Sequence, residues 1–108
     1  GIEVDAQQSA LMKKNKSEFV MWSTGHPVGY VAHDTGPNLG GSRTATVRPA
    51  AQRKLKAGMV FAFDGFFSWK LDDNNFKTIS VEEMAVITQT GAEYLIPPQQ
   101  ELVIVGSQ

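Results

Sequence analysis

Two segments in the second half of the chain carry its densest hydrophobic pattern. Met59 to Trp69 and Ile79 to Thr88 are rich in Phe, Val, Ile and Ala, with few polar positions. Near-continuous hydrophobicity of this length is typical of strands that are buried on both faces. The segment between them, Lys70 to Lys77, is rich in Asp and Asn, which favour turns. The pattern therefore predicts two core strands joined by a polar turn.

The first third of the chain shows a helical pattern followed by a short strand. Apolar residues recur among polar ones from Glu3 to Asn15, and lysines near the end of this segment suit the C-terminus of a helix dipole. Phe19 to Trp22 is a short apolar run that indicates a strand. Thr24 to Tyr30 contains two Gly and one Pro, so the backbone around His26 is expected to be irregular.

The remaining segments are read as loops and short elements. Asp34 to Pro49 is rich in Gly, Asn, Ser, Thr and Arg, which predicts an exposed loop that could rim a site. Gln89 to Gly91 is expected to turn the chain into a further segment, Ala92 to Ile96. Glu101 to Val105 is a final apolar segment that fits either a strand or a helical turn.

Composition places the chain among globular proteins and excludes several partners. Its 108 residues suit one domain, which we assign to residues 1–108, and 42% of them are hydrophobic. The net charge of -1 gives no electrostatic reason to bind nucleic acid or an anionic membrane. No apolar run approaches the roughly 20 residues of a membrane span. The absence of Cys suits a cytoplasmic location.

Four ionisable residues lie in apolar or glycine-rich surroundings: His26, His33, Asp64 and Glu82. Each has an ordinary explanation. Asp64 precedes Gly65, and Asp-Gly is a strong signal for the turn of a β-hairpin. Glu82 must face water or meet a partner, and its neighbour Glu83 would point to the other face of a strand. A lone histidine is most often a surface or hydrogen-bonded residue.

Taken together, these residues offer the ligand types of a divalent metal site. A histidine nitrogen with carboxylate oxygens suits Mn, Co, Fe or Zn. The sequence has no His-Glu-x-x-His motif, no EF-hand loop, no phosphate-binding loop and no Gly-x-Ser-x-Gly elbow. A metal site would therefore have to be assembled from segments that are distant in the sequence.

Three segments in order resemble the C-terminal half of the creatinase, prolidase and methionine aminopeptidase family. They are Thr24 to Asp34 (TGHPVGYVAHD), Leu55 to Asp64 (LKAGMVFAFD) and Val81 to Glu93 (VEEMAVITQTGAE). The opening Glu3 to Ala6 also resembles the helix that precedes the histidine motif in that family. The resemblance therefore extends in order over almost the whole chain.

The resemblance implies an α+β fold: part of a pita-bread domain, with a curved, mainly antiparallel sheet and one or two helices. It implies a metallopeptidase centre that cleaves N-terminal or Xaa-Pro peptide bonds, with His26, Asp64 and Glu82 as metal ligands. His33 would be the catalytic residue that contacts the scissile amide of a peptide substrate. Two metals in such a centre lower the pKa of a shared water and polarise the carbonyl.

Departures from the family pattern predict reduced activity. Asp64 replaces a longer glutamate, Pro27 replaces a glycine, and Ser80 stands where prolidase-like members often carry arginine. Two aspartate ligands that the family places upstream of the histidine motif have no counterpart here, and Asp5 fits neither place. The hypotheses are an incomplete Xaa-Pro exopeptidase, a non-catalytic peptide- or protein-binding module of the same descent, and a creatinase-like hydrolase that needs no metal.

Part of a pita-bread sheet would also expose strand edges and apolar surface to water. Such edges favour pairing with another chain. The sequence therefore predicts a homo-oligomer.

Overall fold

The computed structural model describes residues 1–19 and 23–106. These residues form two helices and six strands in an α+β arrangement, as predicted. The elements are α1 Ile2–Lys14, β1 Glu18–Phe19, β2 Ser23–Val28, β3 Leu39–Gly40, α2 Pro49–Gln52, β4 Val60–Lys70, β5 Phe76–Ile87 and β6 Ala92–Tyr94. The strand predicted from Phe19 to Trp22 falls largely on residues 20–22, which lie outside the described residues. Neither helix of the described residues is long and apolar enough to cross a membrane.

The six strands form one antiparallel sheet, in the order β3-β2-β4-β5-β6, with β1 also pairing with β4. The β4–β5 hairpin is its centre, paired without interruption from Val60–Val86 to Lys70–Phe76. The turn between them is the predicted polar one, where Asp72 accepts hydrogen bonds from the side chain of Asn75 and the backbone of Asn74. This confirms the prediction of a mainly antiparallel sheet with two helices, consistent with part of a pita-bread fold.

Burial is less complete than the hydrophobic pattern predicted. The first half of β5, from Phe76 to Glu82, is exposed, so the expectation of a strand covered on both faces is wrong there. Strand β6 pairs only with Ala85 to Ile87, which leaves the rest of that β5 edge without a strand partner among the described residues. Self-association through such an edge stays a prediction.

Three local predictions also differ from the structure. The backbone around His26 is a strand, β2, because its residues pair with β4. The segment from Asp34 to Pro49 is not wholly an exposed loop, since Leu39 of β3 is buried. Glu101 to Val105 forms neither a strand nor a helical turn, and Leu102 to Val105 is almost fully exposed.

Helix α1 is fixed to the sheet by a buried carboxylate. Asp5 has no exposed surface, although aspartate is rarely buried without partners. One carboxylate oxygen accepts hydrogen bonds from Thr24 Oγ1 at 2.7 Å and from Arg43 Nη2 at 2.9 Å. The other accepts from the backbone N–H of Ser42 at 2.8 Å and from its hydroxyl at 2.5 Å. A single side chain therefore joins α1, β2 and the loop after β3.

These partners decide the charge state of Asp5. Burial by itself raises the pKa of a carboxyl, because it penalises the charged form. Here the hydrogen bonds from Ser42 and Thr24 and the positive charge of Arg43 outweigh burial and hold the pKa of Asp5 below its ordinary value. The carboxylate is therefore ionised in the folded protein, and its negative charge contributes to stability.

The stability of the chain should depend on this carboxylate and weaken in acid. Because the folded pKa lies below the unfolded value of about 3.9, the contribution is complete above that pH and is lost as the pH falls through the folded pKa. We expect Asp5→Asn to lower the free energy of unfolding at pH 7 by about 1–3 kcal/mol. The difference from the parent should shrink in urea unfolding between pH 4 and pH 2.

A suitable control is Asp73→Asn, because Asp73 is a carboxylate with 96% of its side chain exposed, in the β4–β5 turn. Its free energy of unfolding should stay within about 0.5 kcal/mol of the parent at each pH. A difference between parent and Asp5→Asn that is constant down to pH 2 would contradict the assignment of acid sensitivity to Asp5.

Candidate metal centre

Strand register brings His26, Asp64 and Glu82 to one face of the sheet. His26 of β2 lies opposite Ala62 of β4, and Asp64 follows Ala62 by two positions. Glu82 of β5 lies directly opposite Asp64. Because residues two apart on a strand, and residues opposite each other on paired strands, share a face, the three side chains project to the same side. Three residues distant in the sequence thus become neighbours.

The alternative in which Asp64 and Gly65 form a hairpin turn is wrong. Both lie within β4 and pair with Glu82 and Val81 of β5. The turn that joins these strands begins only after Lys70, six residues later. Asp64 is therefore an in-sheet carboxylate, with 20% of its side chain exposed.

The three side chains approach one another closely enough to share an ion. His26 Nε2 lies 3.9 Å from Asp64 Oδ2, and one ligand atom from each of the three residues lies within 4.8 Å of the others. Two atoms bound to one ion at about 2.0–2.2 Å are separated by no more than about 4.4 Å. The His26–Asp64 distance already satisfies this limit. Glu82 is exposed, so its side chain has room to adjust.

His26 presents an unsatisfied nitrogen to the carboxylates. Its Nδ1 lies 3.2 Å from the backbone oxygen of Pro27, which can only accept a hydrogen bond. In the neutral ring, Nδ1 therefore carries the hydrogen and Nε2 carries the free lone pair. Nε2 is buried and has no hydrogen-bond partner among the described residues. Its separation of 3.9 Å from Asp64 Oδ2 is too long for a hydrogen bond, so the lone pair of Nε2 is available to a metal ion.

His33 lies beside the cluster but is not part of it. Its ring stacks on that of His26, with centroids 4.1 Å apart and planes inclined by 28°. His33 is exposed, and the turn that carries it is held by Asp34, whose carboxylate accepts from the backbone N–H groups of Tyr30 and Thr35. This placement leaves the ring of His33 exposed to solvent beside the cluster. Its predicted contact with a substrate amide stays a prediction.

Glu82 and Glu83 separate as strand alternation predicted. Glu83 lies opposite Phe63, whereas Glu82 lies opposite Asp64, so the two glutamates project to opposite faces of β5. Only Glu82 joins the candidate ligands. Glu83 therefore provides a matched control for every test of Glu82.

The sequence comparison identifies the family to which this arrangement corresponds. The model of metallopeptidase family M24 matches residues 1–89, which include α1 and all three candidate ligands. The chain belongs to metallopeptidase family M24. No curated protein and no solved structure matches the chain significantly. Membership in M24 establishes the metallopeptidase family and the pita-bread kinship, while the ligand assignments rest on the geometry described above.

The residues that join α1 to the sheet beside the candidate ligands could not be recognised from the sequence. No purpose was assigned to Asp5, and neither Thr24 nor Ser42 was singled out. The available signal was an aspartate seven positions before Met12, a spacing that places both residues on the same side of the predicted helix. Its partners lie 19 and 37 residues away, so sequence spacing alone does not reveal them.

The close approach of β2 to β4 requires glycine beside His26. A Cβ atom on Gly25 would lie 2.1 Å from the backbone oxygen of Ala62 and 2.8 Å from the Cα of Phe63. Both atoms belong to the backbone of β4, so relief would require the strands to move apart. Glycine is therefore needed here for lack of space.

Replacing Gly25 by alanine should destabilise the fold and displace His26. We expect Gly25→Ala to lower the free energy of unfolding by about 1–3 kcal/mol in urea titration, the usual cost of overpacking. Gly91→Ala is the control, because nothing lies within 4 Å of a Cβ built at Gly91. Equal stability of the two variants would show that β2 and β4 are not packed this closely.

Proposed function

We propose that this chain binds a divalent metal ion through His26, Asp64 and Glu82. The observation that carries the proposal is the buried Nε2 of His26, which faces two carboxylates without a hydrogen-bond partner among the described residues. A buried polar atom without a partner costs about 1–3 kcal/mol, so such atoms are rare unless a ligand satisfies them. One nitrogen and two oxygen ligands suit Mn, Co, Fe or Zn.

The charges of the cluster support the same proposal. Asp64 and Glu82 are directly opposite on neighbouring strands, a position in which like charges destabilise a sheet. In the part of the chain that the structure describes, neither carboxylate forms an ion pair with a Lys or Arg side chain. A divalent cation would balance the two negative charges and would also satisfy His26.

We further propose that the chain acts on peptides as an Xaa-Pro exopeptidase of reduced activity. M24 membership supports a peptide substrate, and the accessible ring of His33 beside the cluster supports a contact with the substrate amide. A bound metal would supply activated water and polarise the carbonyl group. Activity is expected to be low because the described residues bring only three ligands together, fewer than a bridged two-metal centre needs.

Titration with Co²⁺ tests the ligand assignment. Visible absorption of Co²⁺ should report binding to the parent chain, and His26→Ala should abolish it. Glu82→Gln should weaken binding by more than tenfold, equivalent to about 1.4 kcal/mol, because it removes a charged ligand. Glu83→Gln makes the same chemical change on the opposite face of β5 and should bind Co²⁺ as the parent does.

Two results would contradict this assignment. One is a parent chain that is folded and gives no Co²⁺ spectrum. The other is equal weakening by Glu82→Gln and Glu83→Gln, which would indicate a general effect of negative charge rather than a ligand on one face.

Hydrolysis of an Xaa-Pro dipeptide tests the proposed activity. We expect slow hydrolysis that requires added Mn²⁺ or Co²⁺, disappears in Glu82→Gln and persists in Glu83→Gln. His33→Ala should slow hydrolysis while leaving Co²⁺ binding within about threefold, because His33 is not among the candidate ligands. Metal binding without hydrolysis would favour the non-catalytic peptide-binding module. Creatine hydrolysis without metal would favour the creatinase-like alternative.

A further inference from the structure

The strand that carries His26 is irregular two residues before it. Ser23 of β2 lies opposite Gly40 of β3, and Gly25 lies opposite Leu39. Ser23 and Gly25 are two residues apart on β2, whereas their partners on β3 are adjacent. Thr24 is therefore a bulged residue without a paired residue on β3. A bulge of this kind alters the direction of the side chains that follow it, and bulges are frequent beside functional sites.

The bulged residue is held by the buried carboxylate of α1. Thr24 is 3% exposed, and its hydroxyl donates to Asp5 Oδ1 at 2.7 Å. Asp5 itself is immobilised by three further hydrogen bonds, two from Ser42 and one from Arg43. The position of the bulge is therefore set by an element, α1, that contributes no candidate metal ligand.

The register of the residues that follow the bulge determines which face of the sheet His26 occupies. Beyond it, Gly25 and His26 lie opposite Phe63 and Ala62, the register that places His26 beside Asp64. Because side chains alternate between faces, a shift of one residue in this pairing would turn His26 to the other face of the sheet. The carboxylates of Asp64 and Glu82 would then lose their imidazole partner.

We propose that Asp5 is a positioning residue for the metal centre, acting through Thr24 to fix the bulge that directs His26 towards Asp64. Asp5 touches neither the ligands nor a metal. It holds the backbone from which the first ligand projects. The consequence for metal binding rests on the proposed function, whereas the consequence for the orientation of His26 does not.

The orientation of His26 can be measured by NMR on the full chain without metal. In the parent, nuclear Overhauser contacts are expected between the His26 ring and the Ala62 methyl group, which are opposite each other. Thr24→Val keeps the shape of the side chain and removes its hydroxyl, so these contacts should disappear while the β4–β5 contacts persist. Thr24→Ser restores the hydroxyl and should restore them. Asp5→Ala, which removes both acceptor oxygens, should behave as Thr24→Val.

Co²⁺ affinity provides the second measurement. Thr24→Val and Asp5→Ala should weaken binding about ten- to a hundredfold, the usual effect of losing a residue that orients a ligand. Thr24→Ser should bind nearly as the parent does. Asp73→Asn, in the β4–β5 turn, is the charge control and should change neither measurement. Should Asp5→Ala fail to fold, Thr24→Val decides, because it retains the carboxylate of Asp5 and its hydrogen bonds from Ser42 and Arg43.

The two measurements separate failure of this inference from failure of the proposed function. A parent chain that shows the His26–Ala62 contacts but binds no Co²⁺ would contradict the metal proposal. The same contacts measured in the variants would still test whether Thr24 and Asp5 orient His26. Thr24→Val with unchanged His26–Ala62 contacts would overturn the inference, whatever the metal affinity.

Discussion

The register among β2, β4 and β5 is the constraint on which the candidate site depends. His26, Asp64 and Glu82 meet only because Ala62 is opposite the first and Asp64 is opposite the last. A slip of one residue in either pairing would send one of the three to the other face. The long β4–β5 hairpin fixes one pairing through eleven opposed residues, from Val60–Val86 to Lys70–Phe76. The β2–β4 pairing covers only four and needs other support.

That support comes from α1 and from close packing of β2 on β4, and it explains why the fold contains a buried carboxylate and a glycine within a strand. A fully buried carboxylate, Asp5, would destabilise the fold if its partners were absent. Its hydrogen bonds to Thr24 and Ser42 instead tie α1 to β2 and to the loop after β3. Gly25, which weakens a strand by its flexibility, permits the close contact with β4. The shorter of the two pairings is thus supported by the contact of Thr24 with α1 and by the close packing that Gly25 permits.

Sequence reasoning predicted the fold class, α1, the β4–β5 hairpin and the three candidate ligands, because hydrophobic periodicity and the family motifs report directly on these. The prediction of irregular backbone around His26 was wrong. It rested on the two Gly and one Pro nearby, but this segment forms strand β2. Sequence reasoning also overestimated the burial of β5: the apolar side chains there predict a covered strand, but Ile79 and Val81 are nearly half exposed. Tertiary packing decides which side chains of a strand are covered, and the sequence pattern does not report it. The burial of Asp5 was not predicted for the same reason.

The clusters around Asp5 and Asp64 differ in how fully their charges and hydrogen-bonding atoms are satisfied by other protein groups. Around Asp5, every carboxylate oxygen is satisfied by protein groups, and its negative charge is balanced by Arg43. Around Asp64, a second carboxylate lies directly opposite, and the buried nitrogen of His26 has no hydrogen-bond partner in the described part of the chain. Both clusters contain a carboxylate that is largely buried, but the groups around it differ. In the cluster around Asp5, protein groups satisfy both the hydrogen bonds and the charge, which suits a structural role. The second cluster brings two carboxylates and an imidazole nitrogen together without a basic ion-pair partner in the described part of the chain, and the cation that we propose would balance these charges.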